Sequence, residues 1–598
     1  MRRSVTNGAW LLLLQVAVVL VLAASAIAAP QPPFGHVGRF ITDSTGRVFT
    51  SHGVNMVYKV PPYEPSVAGF GDDDAAFLAR EGFNSVRLGV IYKAVEPTPG
   101  SYDAGYLARI AATAAVLEKH GITPLIDFHQ DLYNERFQGE GWPDWAVLDD
   151  GLPAQPQMGF PVNYLVQPAL NRAFDNFWAN AAGPGGIGLV DRYAAAWKQV
   201  AHTFEADRWV LGYDLLNEPW PGTGWQACAN PAGCPAYDQG VFAEFWRKTI
   251  AGVRGGDKRH LVFYEPNVLF NDGADTQLPK FADDRLGMSW HNYCLVGDVS
   301  GSGGGGGGTC GTMERLVFEN ALKRSQKTDD TQLLTEFGAT DDLDTLRRIT
   351  AAGDDYMVGW QYWHYCGCND PTTQGPGETQ AIVKDPAKPP EGDNLKTAKL
   401  DVLVRPYPQL IAGTPSRWKF DPSTKEFELE YSTARAGGGS FAGRPRTEVF
   451  VPKRQYPTGY AVGVQGAGVV SAPGAQVLEL DACPGAKAVK LRVTKSGTNA
   501  TGCAAGAVAG AKAGLPQIRL SVTPRRVVRG KPRTFRFRVK AGRFAVSDAR
   551  VRFAGRTIRT DTRGRARIRA ALRRPGLRRA VAWKRTFRRG ATHVRVLR

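Results

Sequence analysis

The sequence predicts an α/β fold: a (β/α)8 TIM barrel followed by a β-sandwich and a small basic immunoglobulin-like β domain. Three observations carry this. Through the first part of the chain, short apolar runs alternate with longer stretches of helical periodicity; nearly every apolar run ends in a polar or aromatic residue; beyond residue 395 the pattern changes to period-two alternation with turn glycines. Alternating strand and helix patterns imply a parallel sheet, eight such units imply a closed barrel, and period-two alternation implies strands with one buried face.

The leader comes first. Residues 1–28 contain Arg2 and Arg3, an apolar stretch from Trp10 to Ala24 broken only by Gln15, and Ala26-Ile27-Ala28, an A-x-A cleavage pattern. That is the three-part layout of a secretory signal peptide, so the mature chain is expected to be secreted, either free or associated with the cell surface. The apolar run is shorter than the ~20 residues a membrane span needs, and no later stretch is apolar enough, so no transmembrane segment is expected in the mature chain.

The barrel is expected over residues 29–395. Its strand candidates end at Gly53-Val54-Asn55, Val86-Arg87-Leu88, Ile126-Asp127-Phe128-His129, Leu216-Asn217-Glu218, Phe263-Tyr264-Glu265, His291-Asn292-Tyr293, Leu334-Thr335-Glu336 and Gln361-Tyr362-Trp363. Helical stretches such as Tyr106 to His120, Val190 to Glu205 and Met313 to Ser325 lie between them. In this fold the reaction site forms at the C-terminal ends of the strands, where these polar residues fall. Glu218 tops strand four and Glu336 strand seven, on opposite sides of the barrel mouth. Two carboxylates so placed can flank one glycosidic bond. A separation of ~5–5.5 Å implies retention and ~6.5–9.5 Å inversion.

These residues carry a resemblance. The chain resembles glycoside hydrolase family five through Arg87 in Val86-Arg87-Leu88-Gly89, His129 after strand three, Asn217 with Glu218, His291 and Tyr293 in Trp290-His291-Asn292-Tyr293, Glu336, and Trp363. The resemblance implies Glu218 as acid and base, Glu336 as nucleophile, and substrate-binding roles for the others. Physical sense agrees with it. Asn217 can bond the sugar 2-hydroxyl, Arg87 can hold Glu336 ionised with Tyr293 orienting it, and Glu218, poorer in cationic partners, can keep the raised pKa of an acid. Trp363 offers a ring for the sugar face.

Asp127-Phe128-His129-Gln130-Asp131-Leu132-Tyr133 and Gly139-Glu140-Gly141-Trp142-Pro143-Asp144-Trp145 are similar to the endoglycoceramidase branch, which cuts between oligosaccharide and ceramide, through glucosyl or galactosyl linkages. Gly53-Val54-Asn55-Met56-Val57-Tyr58-Lys59 fits it as well, placing Lys59 beside the sugar. Asp131 is then an acceptor for sugar hydroxyls, and Tyr133, Trp142 and Trp145 are either an apolar surface for a lipid or pins for a long loop. Glu265 also tops a strand and is a candidate supporting residue. Two alternatives stay open: a β-glucosidase or endoglucanase acting on steryl glucosides or β-glucans, and a non-catalytic glycan-binding surface protein.

Residues 396–500 alternate as short strands, for example Glu426 to Tyr431 and Thr447 to Val451, and form the sandwich candidate. Residues 501–514, TGCAAGAVAGAKAG, have a linker's composition. Residues 515–598 hold 28 Lys or Arg against 2 Asp or Glu, a net of +26; with +18 overall, the remainder carries −8. Phe535, Phe537 and Val539 alternate there with Arg536, Arg538 and Lys540. An arginine-faced module of this kind can be retained on an anionic cell wall or membrane. Export and the lack of interleaved exposed aromatics argue against nucleic acid.

Eight cysteines in an exported chain suggest disulfides: Cys228 with Cys234, Cys294 with Cys310, and Cys483 with Cys503. Cys366 and Cys368 are too close for easy bridging and are alternative partners for Cys294 and Cys310. No histidine or cysteine spacing resembles a zinc site, and neither metal nor cofactor is expected. The run Gly301 to Gly308 lacks the lysine of a phosphate loop and a following helix start, and is expected to be a surface loop.

Overall fold

The computed structural model describes residues 29–293, 307–372, 377–497, 499–503 and, with short breaks at 542–543, 547–548, 562 and 585–588, 518–597. The expected signal peptide, Cys294, Gly301 to Gly306 and the linker after Cys503 lie outside these residues.

Eight parallel strands close into a barrel in chain order: His52–Met56, Ser85–Ile91, Thr123–His129, Gly212–Asp214, Leu261–Tyr264, Leu286–Asn292, Thr331–Phe337 and Trp360–Tyr362. The first pairs with both the second and the eighth, which completes the ring. Every residue of these strands is buried, as expected when helices cover the outside and side chains fill the inside. Along Ser85–Ile91, Val86, Leu88 and Val90 join the apolar core, while the intervening Arg87 reaches carboxylates on other strands inside the barrel.

The outer helices bury one stripe each. Leu189–Phe204 turns Val190, Tyr193, Trp197, Val200 and Phe204 inward at three- and four-residue spacing and packs on Val241–Gly256. Gly252 permits that approach, since a Cβ there would come within 2.2 Å of the Ala194 carbonyl oxygen. The helix expected over Met313 to Ser325 spans Gly307–Thr328, so a helix does start inside the glycine run, contrary to expectation.

The N-terminal strands depart from the expected division. Gly35–Val37, Phe40–Thr42 and Val48–Phe49 leave the barrel and join Tyr407–Ile411, Thr447–Phe450, Val477–Ala482 and Ala467–Val469 in a seven-stranded sheet. The reason is the barrel's N-terminal end, an apolar ring that needs a cover. Phe34, Ile41, Phe49 and Leu410 pack there against Leu125, Leu211, Leu261, Phe263 and Leu333. Across the sandwich lies a five-stranded sheet of Thr414–Asp421, Glu426–Ser432, Ala488–Thr494, Ala461–Gln465 and Ala500–Gly502. The last of these strands and the Cys483–Cys503 bridge carry the sandwich past residue 500.

Cys228 is bonded to Cys234, and Cys310 is also disulfide-bonded. Cys366 and Cys368 are bridged to each other, against expectation: the single residue between them, Gly367, lets the two Cα atoms stand 5.2 Å apart, within the range a disulfide spans. No helix among the described residues is long and apolar enough to cross a membrane.

Candidate active site

Arg87 organises the polar interior at the C-terminal end of the barrel. Its Nε donates to Asp214 at 2.8 Å, one terminal nitrogen donates to Asp127 at 2.8 Å and Asn217 at 3.0 Å, and the other donates to Asn55 at 3.2 Å and to Glu336. Burial opposes its charge, but Asp127, Asp214, Glu336 and Glu265 raise its pKa above the usual arginine value. One cation is thus shared among four carboxylates.

Glu336 is delivered by a bulge. On the adjacent strand Leu334 pairs with Trp290 and Glu336 with His291, so Thr335 is an extra residue that re-aims the strand end. Besides Arg87, Glu336 accepts from the Tyr293 hydroxyl at 3.0 Å. Burial pushes it up to about 7, against the pull of His291 and Arg87. The sequence predicts that Arg87 holds this group ionised, but a guanidinium divided among several acids does not offset the loss of water.

Glu218 lies beyond strand four, which ends at Asp214, and takes φ 43°, a left-handed conformation rare outside glycine. Neighbours hold it there. Its backbone N–H donates to Glu265 Oε2 at 3.0 Å, and Gln130 Nε2 donates to its carbonyl at 3.1 Å. Its Oε1 accepts from Asn271 at 3.3 Å and lies 2.8 Å from His291 Nδ1.

His291 Nδ1 is also 3.5 Å from Glu336 Oε2, and its Nε2 is 3.2 Å from Glu265. Against the cost of burial, Glu265 and Glu336 hold the imidazole well above its usual range, so it is a cation between the two acids. Glu218 is therefore not the cation-poor carboxylate the sequence predicts. One oxygen of Glu218, one of Glu336 and the His291 nitrogen all lie within 4.8 Å of one another. So short an approach accords with the closer spacing of a retaining pair.

The two glutamates open into a cavity of about 620 Å³ whose lining divides by chemistry. On one side stand Lys59, His129, Asp131, Trp363, Asp370 and Thr372. Lys59 Nζ bonds Asp131 at 2.5 Å and Thr372 at 2.8 Å and sits 4.5 Å above the Trp363 ring. The Trp363 ring, 5% exposed, stacks on His129. Burial, with Lys59 and Arg87 nearby, lowers the His129 pKa well below its usual value. Its Nδ1 pairs with Asp127 at 2.8 Å, and its Nε2 has no hydrogen-bond partner among the described residues.

The lining also includes an apolar wall, Phe160, Pro161, Tyr164, Leu165, Trp220, Val268 and Leu269, beside the acids Asp272, Asp341 and Asp342. Sequence reasoning missed this wall. The available signal was the proline-rich stretch of residues 152–168, whose Met158 and Leu165 remain 62% and 51% exposed.

Several expected positions are thereby reassigned. Lys59, His129, Asp131, Asn217, Glu218, Tyr293, Glu336 and Trp363 line the cavity, but Arg87 and His291 do not; both are fully buried and reach the glutamates from beneath. Trp142 is buried in a stack with Tyr133, rings 4.1 Å apart, and Trp145 Nε1 bonds the Glu96 carbonyl. These three aromatic side chains pin the loop and give the cavity no surface. Glu140, also unpredicted as a participant, is fully buried, and neither of its oxygens has a hydrogen-bond partner.

Two carboxylate–histidine groups have ligand atoms close enough for a cation: His129 with Asp131 and Glu140, and Glu218 with His291 and Glu336. The protein already places its own positive charge in each, through Lys59 on Asp131 and through the His291 imidazolium.

Comparison with known proteins adds to this geometry. The profile of Cellulase (glycosyl hydrolase family 5) matches residues 43–369, and that of the glycoside hydrolase family 5 C-terminal domain matches residues 405–493. The chain is 33% identical over 470 residues to endoglycoceramidase I of Rhodococcus hoagii (strain 103S), covering 77% of this chain and 88% of that protein. Two solved structures of endo-glycoceramidase II from Rhodococcus sp., a lactosyl-enzyme intermediate and a ganglioside GM3 complex, are each 26% identical to it. They superpose with TM-scores of 0.62 and 0.61, covering 77% of this chain and 100% and 99% of theirs.

Proposed function

The chain belongs to glycoside hydrolase family 5, and on that premise we propose that it is a retaining endoglycosidase that releases ceramide from glycosphingolipids. The observation that carries the substrate class is the division of the cavity lining around the glutamate pair into a hydroxyl-binding set, Lys59, His129 and Asp131, and an apolar set that includes Phe160, Leu165 and Leu269. A glycolipid presents the same division across its glycosidic oxygen.

Glu218 protonates that oxygen as the bond to the ceramide breaks. Its Oε2 has no hydrogen bond among the described residues, while Oε1 is held by His291 and Asn271. Glu336 attacks the anomeric carbon from the opposite face and forms a glycosyl-enzyme ester. Glu218, now ionised, takes a proton from water, which attacks the anomeric carbon and frees Glu336. Asn217 spends its Oδ1 on Arg87 and one N–H on Gln130, so its other N–H is left for the sugar 2-hydroxyl. His129 Nε2 and Asp131 accept sugar hydroxyls beside Lys59. Arg87 and His291 act as positioning residues.

The N-terminal leader supports export, and the basic C-terminal module supports electrostatic association with an anionic surface. The substrate is tested by supplying a glycosphingolipid and a cello-oligosaccharide separately and measuring ceramide and sugar. Ceramide release is the expected result, lost in Glu336→Gln; turnover of the cello-oligosaccharide alone rejects the proposal.

A further inference from the structure

Residues 518–597 fold into two sheets around a core that includes Val522, Phe535, Phe537, Val551, Phe553 and Ile568. In the first sheet Pro532–Ala541 pairs antiparallel with Ile518–Thr523 on one side and Arg565–Ala571 on the other. Burial alternates along all three strands, and the outward positions include Arg519 on the first, Arg536, Arg538 and Lys540 on the second and Arg565, Arg567 and Arg569 on the third.

The register brings those charges together. Arg519 stands opposite Lys540, Arg538 opposite Arg565, and Arg536 opposite Arg567. Like charges directly opposed across strands destabilise a sheet, so this pattern works against the module's own stability. Nothing acidic relieves it: among the described residues no carboxylate pairs with these six side chains. Of the module's two acids, Asp561 is committed to a turn, its Oδ1 accepting from the backbone N–H groups of Arg563 and Arg565. An external layer of negative charge would relieve the repulsion.

We infer that this sheet face docks on an anionic lipid bilayer and so keeps the catalytic barrel at the surface that carries its substrate; the second half of this statement rests on the glycolipid reading above. A sheet face bearing evenly spread cations matches a planar field of anionic headgroups. Nucleic acid fits less well, because Phe535, Phe537 and Phe553 are all buried and offer no ring for base stacking.

The test uses the full chain and vesicles without glycolipid. Co-sedimentation is compared between phosphatidylcholine vesicles and vesicles that also contain phosphatidylserine, at low and high salt, for the native chain, the triple variant Arg536→Ser, Arg538→Ser, Arg567→Ser, and its all-lysine counterpart. Each charge near such a surface contributes roughly fivefold, so the serine variant is expected to bind the anionic vesicles about 100-fold more weakly. High salt reproduces that loss, the lysine variant keeps binding, and activity on detergent-dispersed substrate is unchanged. Equal binding to both vesicle types overturns the inference, as does undiminished binding by the serine variant or retention only on isolated cell wall. Vesicle binding without ceramide release would instead reject the substrate while leaving the docking face intact.

Discussion

Replacing Glu336 with glutamine is expected to stabilise the protein while abolishing turnover. Burial holds this carboxyl at about 7, against an ordinary value of 4.5. Between those values the folded state binds the proton more tightly than the unfolded chain. The resulting stability is therefore fully present below about pH 4.5 and is lost as the pH rises through about 7. Above that range the ionised carboxylate costs the fold roughly 3 kcal/mol, from 7 − 4.5 = 2.5 units at about 1.36 kcal/mol each. Glutamine has nearly the same shape, can still accept from Arg87 through its oxygen while its NH2 donates to the Tyr293 hydroxyl, and carries no charge to desolvate. Urea unfolding of both proteins at pH 8 and pH 5 measures the difference. The variant should gain up to about 3 kcal/mol at pH 8, and its advantage should shrink towards zero as the pH approaches 4.5. A native protein as stable as the variant at pH 8 would mean that Arg87 and His291 outweigh burial, and the electrostatic account of the site would be wrong.

The same ionisation should appear in catalysis: kcat/KM for ceramide release is expected to fall tenfold per unit below about pH 7, because only the ionised Glu336 attacks, and a flat profile from pH 5 to 8 would contradict this. Glu265→Gln weakens the charge that keeps His291 protonated while still accepting from the Glu218 backbone, so kcat should drop roughly 10- to 100-fold, the value of a hydrogen bond to a charged group, with KM little changed. A change confined to KM would remove Glu265 from the positioning of Glu218. Phe160→Ser with Leu165→Ser strips part of the apolar wall; KM for ceramide-linked substrates should rise about tenfold or more while a short soluble aryl glycoside is unaffected, and equal effects on both would relocate the lipid side.

Much of the barrel was legible because its signals are local. Each strand is a short apolar run between helical stretches, and the polar residue that ends it is written next to it, as with His129 after Leu125 to Phe128. The N-terminal strands were not legible, since Phe34 and Phe49 find their partners at Leu261 and Leu333, far along the chain. Trp142 illustrates a second failure: an aromatic in a substrate-determining segment serves equally well as a pin or a surface, and only its stacking on Tyr133 decides which. The Cys366–Cys368 bridge illustrates a third, for spacing alone does not reveal how tightly the chain folds at the intervening Gly367.

By itself the sequence determined the eight-unit order, the placement of Glu218 and Glu336 at the ends of strands four and seven, and the concentration of positive charge in the last module. All three follow from periodicity and composition, which neighbouring residues set. The tertiary structure alone decided that the two carboxylates stand within 4.8 Å of His291 and each other, that Arg87 is shared among four acids, and that Phe160, Leu165 and Leu269 line one cavity with Lys59, His129 and Asp131. Those are distances between groups far apart in the chain. They arise only when the barrel closes, water leaves its interior, and each buried charge must find its partner among whatever side chains closure has brought near.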